Sequence, residues 1–393
     1  MDKYEYFWMR IRNNMLPGDI SGAALLDENV SNFKDEVLSY EEIMNMDTMT
    51  LQEKTCLTKK QAEYIMSTKA KYDINREYEM FLASNAKSLT LKDEEYPKRL
   101  RYIDNPPFAI FYYGDLPLEE LNSVAIIGAR KCSEYGKIMA RNLATDLSKS
   151  GVNIISGMAY GIDGIAQETA LFSKKEGSSN SSYAVLGSGV DVCYPKANEA
   201  LYNKLKLMGG IISEYPVGAE ALADNFPLRN RIISALSDIV IVVESRLKSG
   251  TFITVDYALT QGKEIMVVPG RVTDPLSVGC NALISQGAVP VQSADDVLRL
   301  FETILPRTYD TKNKASNFRT KELKKLVPKP QEKILLEREE NLVYSVLDFY
   351  SLSPEDISQA LNMDIFQVMS ILIRLEMKGI ITETGKNLYV KCR

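Results

Sequence analysis

The stretch SVAIIGARKCSEYG, residues 123–136, reads as a buried strand that feeds a glycine turn and then opens a helix. Val124 to Ile127 form the short apolar run that a parallel strand shows when helices cover both of its faces. Gly128 lets the backbone turn tightly, and Arg130 stands where its guanidinium can grip a phosphate oxygen. The first turn of the following helix points unpaired N–H groups at such an anion. The GxGxxG spacing is absent, so phosphate recognition is read here without the dinucleotide fingerprint. The alternative for Gly128 is a packing role alone.

Outward from this segment, the runs VNIIS (152–156), YAVLG (183–187), GGIIS (209–213), DIVIVVE (238–244) and EIMVVPG (264–270) repeat the strand pattern and alternate with helical spacing. That alternation predicts an α/β domain over residues 88–305, a parallel sheet with helices on both faces. Ahead of it, Ile11, Met15, Leu25, Leu26, Phe33, Val37, Ile43, Met44, Ile65 and Met66 recur at helical spacing. Residues 1–87 therefore read as a small helical domain, SAM-like or helix-hairpin-helix-like. Residues 306–333, rich in Lys and Arg with three prolines, read as a flexible basic linker.

Residues 334–393 carry the pattern of a winged helix: three helices and a two-stranded wing. The first helix is expected over Asn341 to Tyr350. The second starts with Ser353 as N-cap, Pro354 at N1 and Asp356 at N3, and the third runs from Asp364 to Lys378 and ends at Gly379. IITET and KNLYVK form a hairpin around Gly385. In the third helix Arg374 and Lys378 are offset by Asp364 and Glu376, which points to protein contact or regulation rather than duplex reading.

Composition narrows the chemistry. A chain of 393 residues suggests two or three domains, and 45% hydrophobic with 25% charged residues is ordinary for a soluble protein. No apolar stretch is long enough to span a bilayer, and MDKYEYFWMRIR has no signal-peptide core, so a cytoplasmic protein is expected. Cys56, Cys132, Cys193, Cys280 and Cys392 are scattered and odd in number, which argues for reduced thiols and against a zinc site. The absence of histidine removes Ser-His-Asp and Cys-His catalysis and the commonest general base. A net charge of −5 is unusual for a nucleic-acid binder, yet a local basic groove can coexist with an acidic remainder.

Eight segments in order carry a more specific signal: GARKCSEYG from Gly128, SGMAYGID from Ser156, LGSGVDVCYPKAN from Leu186, SEYPVG from Ser213, FPLRNRIISALS from Phe226, VVESRLKSGTFIT from Val242, GKEIMVVPGRV from Gly262 and SVGCNALISQGA from Ser277. With the preceding YPKRLRYIDNPPFAIFYYGDL, they resemble the DNA-processing protein A family, also called Smf, over roughly residues 88 to 300. The resemblance implies a non-enzymatic, cofactor-free protein of natural transformation and recombination. Such a protein binds single-stranded DNA on an extended Rossmann fold, forms a homodimer and loads the RecA recombinase.

On that reading the glycine-bearing turns at Gly128 and at Ser156 and Gly157 present helix N-termini along the carboxyl edge of the sheet. Arg130, Lys196, Arg229 and Arg231, with Asn230 between the last two, are assigned to phosphate contact. Lys248, Ser249, Gly250 and Thr251 form a further candidate nest. Each assignment has a plainer alternative: solvation for Lys196, an ion pair with Glu214 or Glu244 for one of the two arginines, and an N-cap without ligand for the nest. Asp163 and Asp191 read as local caps rather than catalytic carboxylates. Gln167 stands where family members commonly carry a histidine, which weighs against proton transfer there. Tyr135, Tyr160, Tyr194 and Tyr215 lie beside the turns, and none is individually assigned to base stacking.

Two other classes compete. KSGTFITVD echoes the PGGxGTxxE loop of the nucleoside-monophosphate phosphoribohydrolases, without the double glycine and with Asp256 displaced from the catalytic position. A winged-helix regulator with a sensor domain would need a cationic third helix, which this chain lacks.

Overall fold

The computed structural model describes residues 2–13, 40–54, 59–304, 338–347, 352–385 and 387–391. The chain divides into two compact units, Met1–Cys132 with Met139–Leu298, and Ser133–Ile138 with Arg299–Arg393. The expected linker at 306–333 lies outside the described residues, as do Met15, Leu25, Leu26, Phe33, Val37, Cys56 and Cys392.

The larger unit is built on a nine-stranded sheet of order β1-β2-β6-β5-β4-β3-β7-β8-β9. Its strands are β1 (Lys87–Thr90), β2 (Ala109–Gly114), β3 (Ser123–Ile127), β4 (Asn153–Ser156), β5 (Ser182–Val185), β6 (Gly210–Ser213), β7 (Ile239–Val242), β8 (Glu264–Val267) and β9 (Val289–Pro290). Only the β1–β2 and β2–β6 pairings are antiparallel. Every residue of β3 to β7 is buried, which is why these strands read as mostly apolar runs without polar alternation, polar residues standing at their ends. The chain leaves β3 on one side through β4, β5 and β6, then returns to lay β7 on the other side. The carboxyl ends of β3 and β7 therefore flank the topological switch point, where open α/β sheets bind ligands.

The helices before and within the sheet are α1 (Lys3–Asn13), α2 (Tyr40–Asn45), α3 (Thr48–Lys54), α4 (Lys59–Lys71), α5 (Ile74–Ala83), α6 (Lys98–Arg101), α7 (Glu134–Lys149), α8 (Ile162–Ser173), α9 (Glu199–Met208), α10 (Asn225–Ala235), α11 (Thr251–Thr260), α12 (Val278–Ser285) and α13 (Ala294–Ile304). Against one face of the sheet, Leu171 of α8 and Leu205 of α9 share a core with Tyr6, Phe7, Ile65 and Phe81 of the N-terminal helices. The Phe81 ring meets Phe111 of β2 edge-on, 5.4 Å between centroids. The boundary expected at residues 87 and 88 therefore falls inside one packed unit, because the N-terminal helices bury their apolar sides on the sheet. On the opposite face Ile232 of α10 and Val255 of α11 pack with Ile127, Val185 and Val242.

The smaller unit contains α14 (Arg338–Val346), α15 (Pro354–Leu361), α16 (Ile365–Met377) and the antiparallel hairpin β10 (Ile381–Gly385) with β11 (Leu388–Lys391). This is the winged-helix pattern read from the sequence. Ser353 and Asp356 close a full capping box with Pro354 at the helix start, and Asp364 caps α16. The core consists of Val343, Leu347, Ile357, Val368, Ile371, Leu372, Leu375, Ile381 and Tyr389. No helix among the described residues is long and apolar enough to cross a membrane.

Candidate nucleic-acid interface

A cleft of about 640 Å³ opens at the switch point. Gly128, Ala129 and Arg130 line it from the end of β3, Phe226, Arg229 and Asn230 from α10, and Ser249, Gly250 and Thr251 from the start of α11. Asp163 and Tyr194 complete the wall. A Cβ on Gly128 would stand 2.8 Å from Ile162 Cγ1 and 3.1 Å from the Glu244 carbonyl, so glycine lets this turn sit between α8 and β7. Gly161, at φ 73°, serves the same turn from the other side, since a Cβ there would fall 2.3 Å from the Ala129 carbonyl oxygen. Between these two glycines Arg130 is held exposed, its guanidinium 6.0 Å from the centre of the Phe226 ring. No carboxylate among the described residues pairs with it.

The other arginines are placed differently from the sequence expectation. Arg231 is buried and bidentate to Glu214, at 2.9 and 2.6 Å, with its Nε donating to the Asn105 carbonyl. Its phosphate assignment is corrected to the ion-pair alternative. Successive helical residues turn by about 100°, so Arg229 and Arg231 project to opposite sides of α10 and cannot share one groove. Arg229 lines the cleft but is only 5% exposed, and its Nη1 donates to the carbonyls of Gly157 and Val185. It is a floor cation beside the buried carboxylate of Asp163 rather than a free one. Burial raises the Asp163 carboxyl above its ordinary range, against the pull of Arg229 and of bonds from Ser156, Gly157 and Gly128. Burial also draws the Arg229 guanidinium down to about 10, with Asp163 acting in the opposite direction.

Ser156 and Gly157 are likewise corrected. The Ser156 hydroxyl is buried and donates to the Ile126 carbonyl at 2.7 Å. Gly157 makes room for the guanidinium, because a Cβ there would meet Arg229 Nη2 at 2.7 Å. Lys196 and Lys248 are exposed and do not line the cleft. Ser249 closes a tight turn just before α11, whose N-cap is Gly250, its Oγ accepting the Thr251 N–H at 3.2 Å and donating to Thr251 Oγ1 at 3.0 Å. Gly250 has open space where a side chain would stand, so the nest is the helix start and part of the cleft surface. Asn230 accepts from Arg229 Nε through Oδ1, and its amide nitrogen makes no bond among the described residues.

The sequence reading missed what holds the turn after β4 and what forms the aromatic wall. Met158 is buried at φ 53°, a left-handed conformation that costs a side-chain-bearing residue free energy unless neighbours fix it. Gln167 Oε1 accepts the Met158 N–H at 2.9 Å while its Nε2 donates to the Tyr183 carbonyl. Asn198 Nδ2 donates to the Met158 and Ala159 carbonyls, and Asp163 accepts the Gly157 N–H. Asp191, expected as a local cap, instead ties its turn to a distant one, accepting the N–H of Gly218, 27 residues further on, at 2.8 Å. Tyr194 and Phe226 pack with centroids 5.3 Å apart at 35°, and both line the cleft. Phe226 lies inside FPLRNR, where an aromatic next to helix-start arginines was the available signal. Asp256 is exposed and outside the cleft. Among the described residues, the arrangement offers an anion one free cation, hydroxyl and amide donors and exposed backbone, beside an aromatic surface that fits a planar ring.

The DNA recombination-mediator protein A family model matches residues 87–302, and the DprA winged helix domain model matches residues 327–385. The chain is 39% identical over 215 residues to DNA processing protein DprA of Streptococcus pneumoniae, covering 55% of this chain and 74% of that protein. It is 37% identical over 255 residues to Protein Smf of Escherichia coli, covering 65% of this chain and 66% of that one. The X-ray structure of the streptococcal DprA is similar at TM-score 0.62 and 30% identity, over 76% of this chain and 98% of that chain. DNA processing protein A of Helicobacter pylori, solved for its single-stranded DNA binding mode, is similar at TM-score 0.50 and 30% identity, over 56% and 96% of the two chains.

Proposed function

The chain belongs to the DNA recombination-mediator protein A family, and from that premise we propose that it binds single-stranded DNA without regard to sequence at the switch-point cleft. The observation that carries this reading is Arg130, unpaired and exposed beside the Tyr194–Phe226 pair. A phosphate takes the guanidinium and the α11 start while a base packs on an aromatic face. Lys196 and Lys248 supply longer-range attraction from outside the cleft. The bound strand is protected and handed to the RecA recombinase in the cytoplasm, with the protein acting as a homodimer. The single-stranded DNA named for the Helicobacter pylori relative supports the ligand class.

The protein acts here as a binder rather than an enzyme. The cleft carboxylate, Asp163, is committed to Gly157 and Arg229, and the phosphoribohydrolase reading has only exposed Asp256 to offer. That rival requires release of free base from a nucleoside monophosphate.

Fluorescence anisotropy of a labelled unstructured strand and of its duplex, titrated at low and moderate salt, tests the proposal. A single-strand preference that weakens with salt is expected. Arg130→Ala should weaken binding roughly tenfold and flatten the log–log salt slope by about 0.7, the value for one phosphate on a single strand. Equal binding to strand and duplex, or an unchanged slope in the variant, would overturn it.

A further inference from the structure

The third helix of a winged unit is where such modules carry the cations that meet duplex DNA. On α16 that surface is apolar: Phe366 is 80% exposed, Ile373 50% and Met377 84%. With exposed Ser370 they recur at spacings of four, three and four residues, one stripe along the helix. The stripe is not overflow from the core, because Val368, Ile371, Leu372 and Leu375 fill that from the opposite side. An aligned row of large apolar side chains left in water marks a contact surface.

The edges of the stripe differ in charge. Along one, Arg374 Nε lies 3.9 Å and Lys378 Nζ 2.6 Å from the carboxylate of Glu340, which is buried on α14. Both cations are thereby compensated from within the unit. Along the other stands exposed Glu376, whose Oε1 accepts the Glu383 N–H of β10 at 3.1 Å. Glu383 in turn accepts the Asn387 N–H. Neither carboxylate pairs with a cation among the described residues, and the Lys391 ammonium is engaged over the Tyr344 ring at 4.4 Å. The surface is therefore an apolar strip with one uncompensated acidic border, which repels a phosphate backbone and attracts cationic side chains.

We propose that the α16 stripe docks an amphipathic helix of a partner protein, its apolar face on Phe366, Ile373 and Met377 and its Lys or Arg flank against Glu376 and Glu383. Helix-in-groove recognition of this kind uses anchors at the spacing the stripe presents. Strand binding at the cleft is not a premise of this inference.

The test uses the full chain and two labelled designed peptides of about three heptads, with Leu at the a and d positions. One carries Lys on its flanks and the other Glu. The Lys peptide should bind saturably and roughly tenfold more tightly than the Glu peptide, and Phe366→Ser with Met377→Ser should remove most of that affinity. Glu376→Lys, which leaves one positive and one negative charge on that border, should remove the preference between the peptides. Because these side chains are exposed, the variants are expected to retain the wild-type thermal melt, which checks folding. No binding, equal binding of both peptides, or binding indifferent to the stripe substitutions would overturn the proposal. So would a fall in sedimentation mass in the stripe variant, which would assign the surface to a second copy of the chain, or a selective loss of duplex binding, which would assign it to DNA.

Discussion

The switch-point cleft and the third helix of the winged unit each carry cations next to aromatic or apolar side chains, yet they use them in opposite ways. In the cleft, two glycines hold Arg130 out toward solvent while Arg229 beneath it is tied to backbone carbonyls and Asp163. On α16, Glu340 takes up both Arg374 and Lys378. What separates the proposed anion site from the proposed protein-facing surface is thus which cations are left unpaired, rather than how many there are. The net charge of −5 conceals this, since it counts Arg130 and Arg231 alike although one faces solvent and the other is locked to Glu214.

The strongest way to break the comparison is to unpair a cation assigned to structure. Glu214→Ala leaves Arg231 buried without its partner, which should cost about 3–5 kcal/mol of stability in urea unfolding. Single-strand affinity of the folded variant should stay at the wild-type value. A drop in affinity with a flattened salt slope would return Arg231 to the DNA contacts. The complementary experiment is Glu340→Gln, which releases Arg374 and Lys378. The salt slope of duplex binding should steepen by up to about 1.8, two phosphates at the duplex value. A slope unchanged from wild type would mean that the apolar stripe, rather than Glu340, keeps phosphates away.

Much of this division was legible in the residues. The central strands announced themselves because burial on both faces demands continuous apolar runs. β1 and β9 did not, since KSLT is polar at a sheet edge and β9 has only two residues. The opposite orientations of Arg229 and Arg231 follow from helical periodicity once FPLRNRIIS is taken as a helix, which agrees with an ion pair for one of the two arginines. The partners of Asn198 could not be read in this way, because it bonds to carbonyls 40 and 39 residues away. Tyr194 and Phe226 meet only through the fold, one before α9 and the other on α10. The shared core of the N-terminal helices with β2 was hidden for the same reason: amphipathic periodicity shows that a face is covered, not by what.

A smaller effect sharpens the electrostatics of the cleft. Asp163→Asn keeps an acceptor for the Gly157 N–H and removes a carboxyl from the wall of the cleft. Single-strand affinity should rise several-fold at low salt, by roughly three- to tenfold, as Arg229 loses its counter-charge. The raised carboxyl of Asp163 contributes stability that is present below the ordinary carboxylate range and lost as pH rises through its folded value. The wild-type advantage over the Asn variant in unfolding should therefore shrink as pH increases. An affinity that falls instead would make Asp163 the group that orients Arg229 for DNA.

The smallest expected effect concerns the left-handed turn at Met158. Gln167 satisfies this turn with one acceptor and one donor, and neither titrates. In Gln167→His a neutral imidazole can do the same, accepting from the Met158 N–H and donating to the Tyr183 carbonyl. An imidazolium has no acceptor, so protonation would leave the Met158 N–H unpaired in a buried site. The charged groups around it are Asp163 on the same helix and Arg229 across the turn, with the Tyr183 phenol raised to about 12 chiefly by burial. Burial disfavours the imidazolium, so the folded pKa lies below the unfolded value of about 6.5, and the support given by the ring is present above that value and lost as pH falls. Single-strand affinity of the variant, divided by that of wild type at each pH, should be level near neutrality and decline roughly two- to fivefold on the acid side. A ratio that stays flat while the melting temperature of the variant falls would mean that the turn contributes to stability without setting the shape of the cleft.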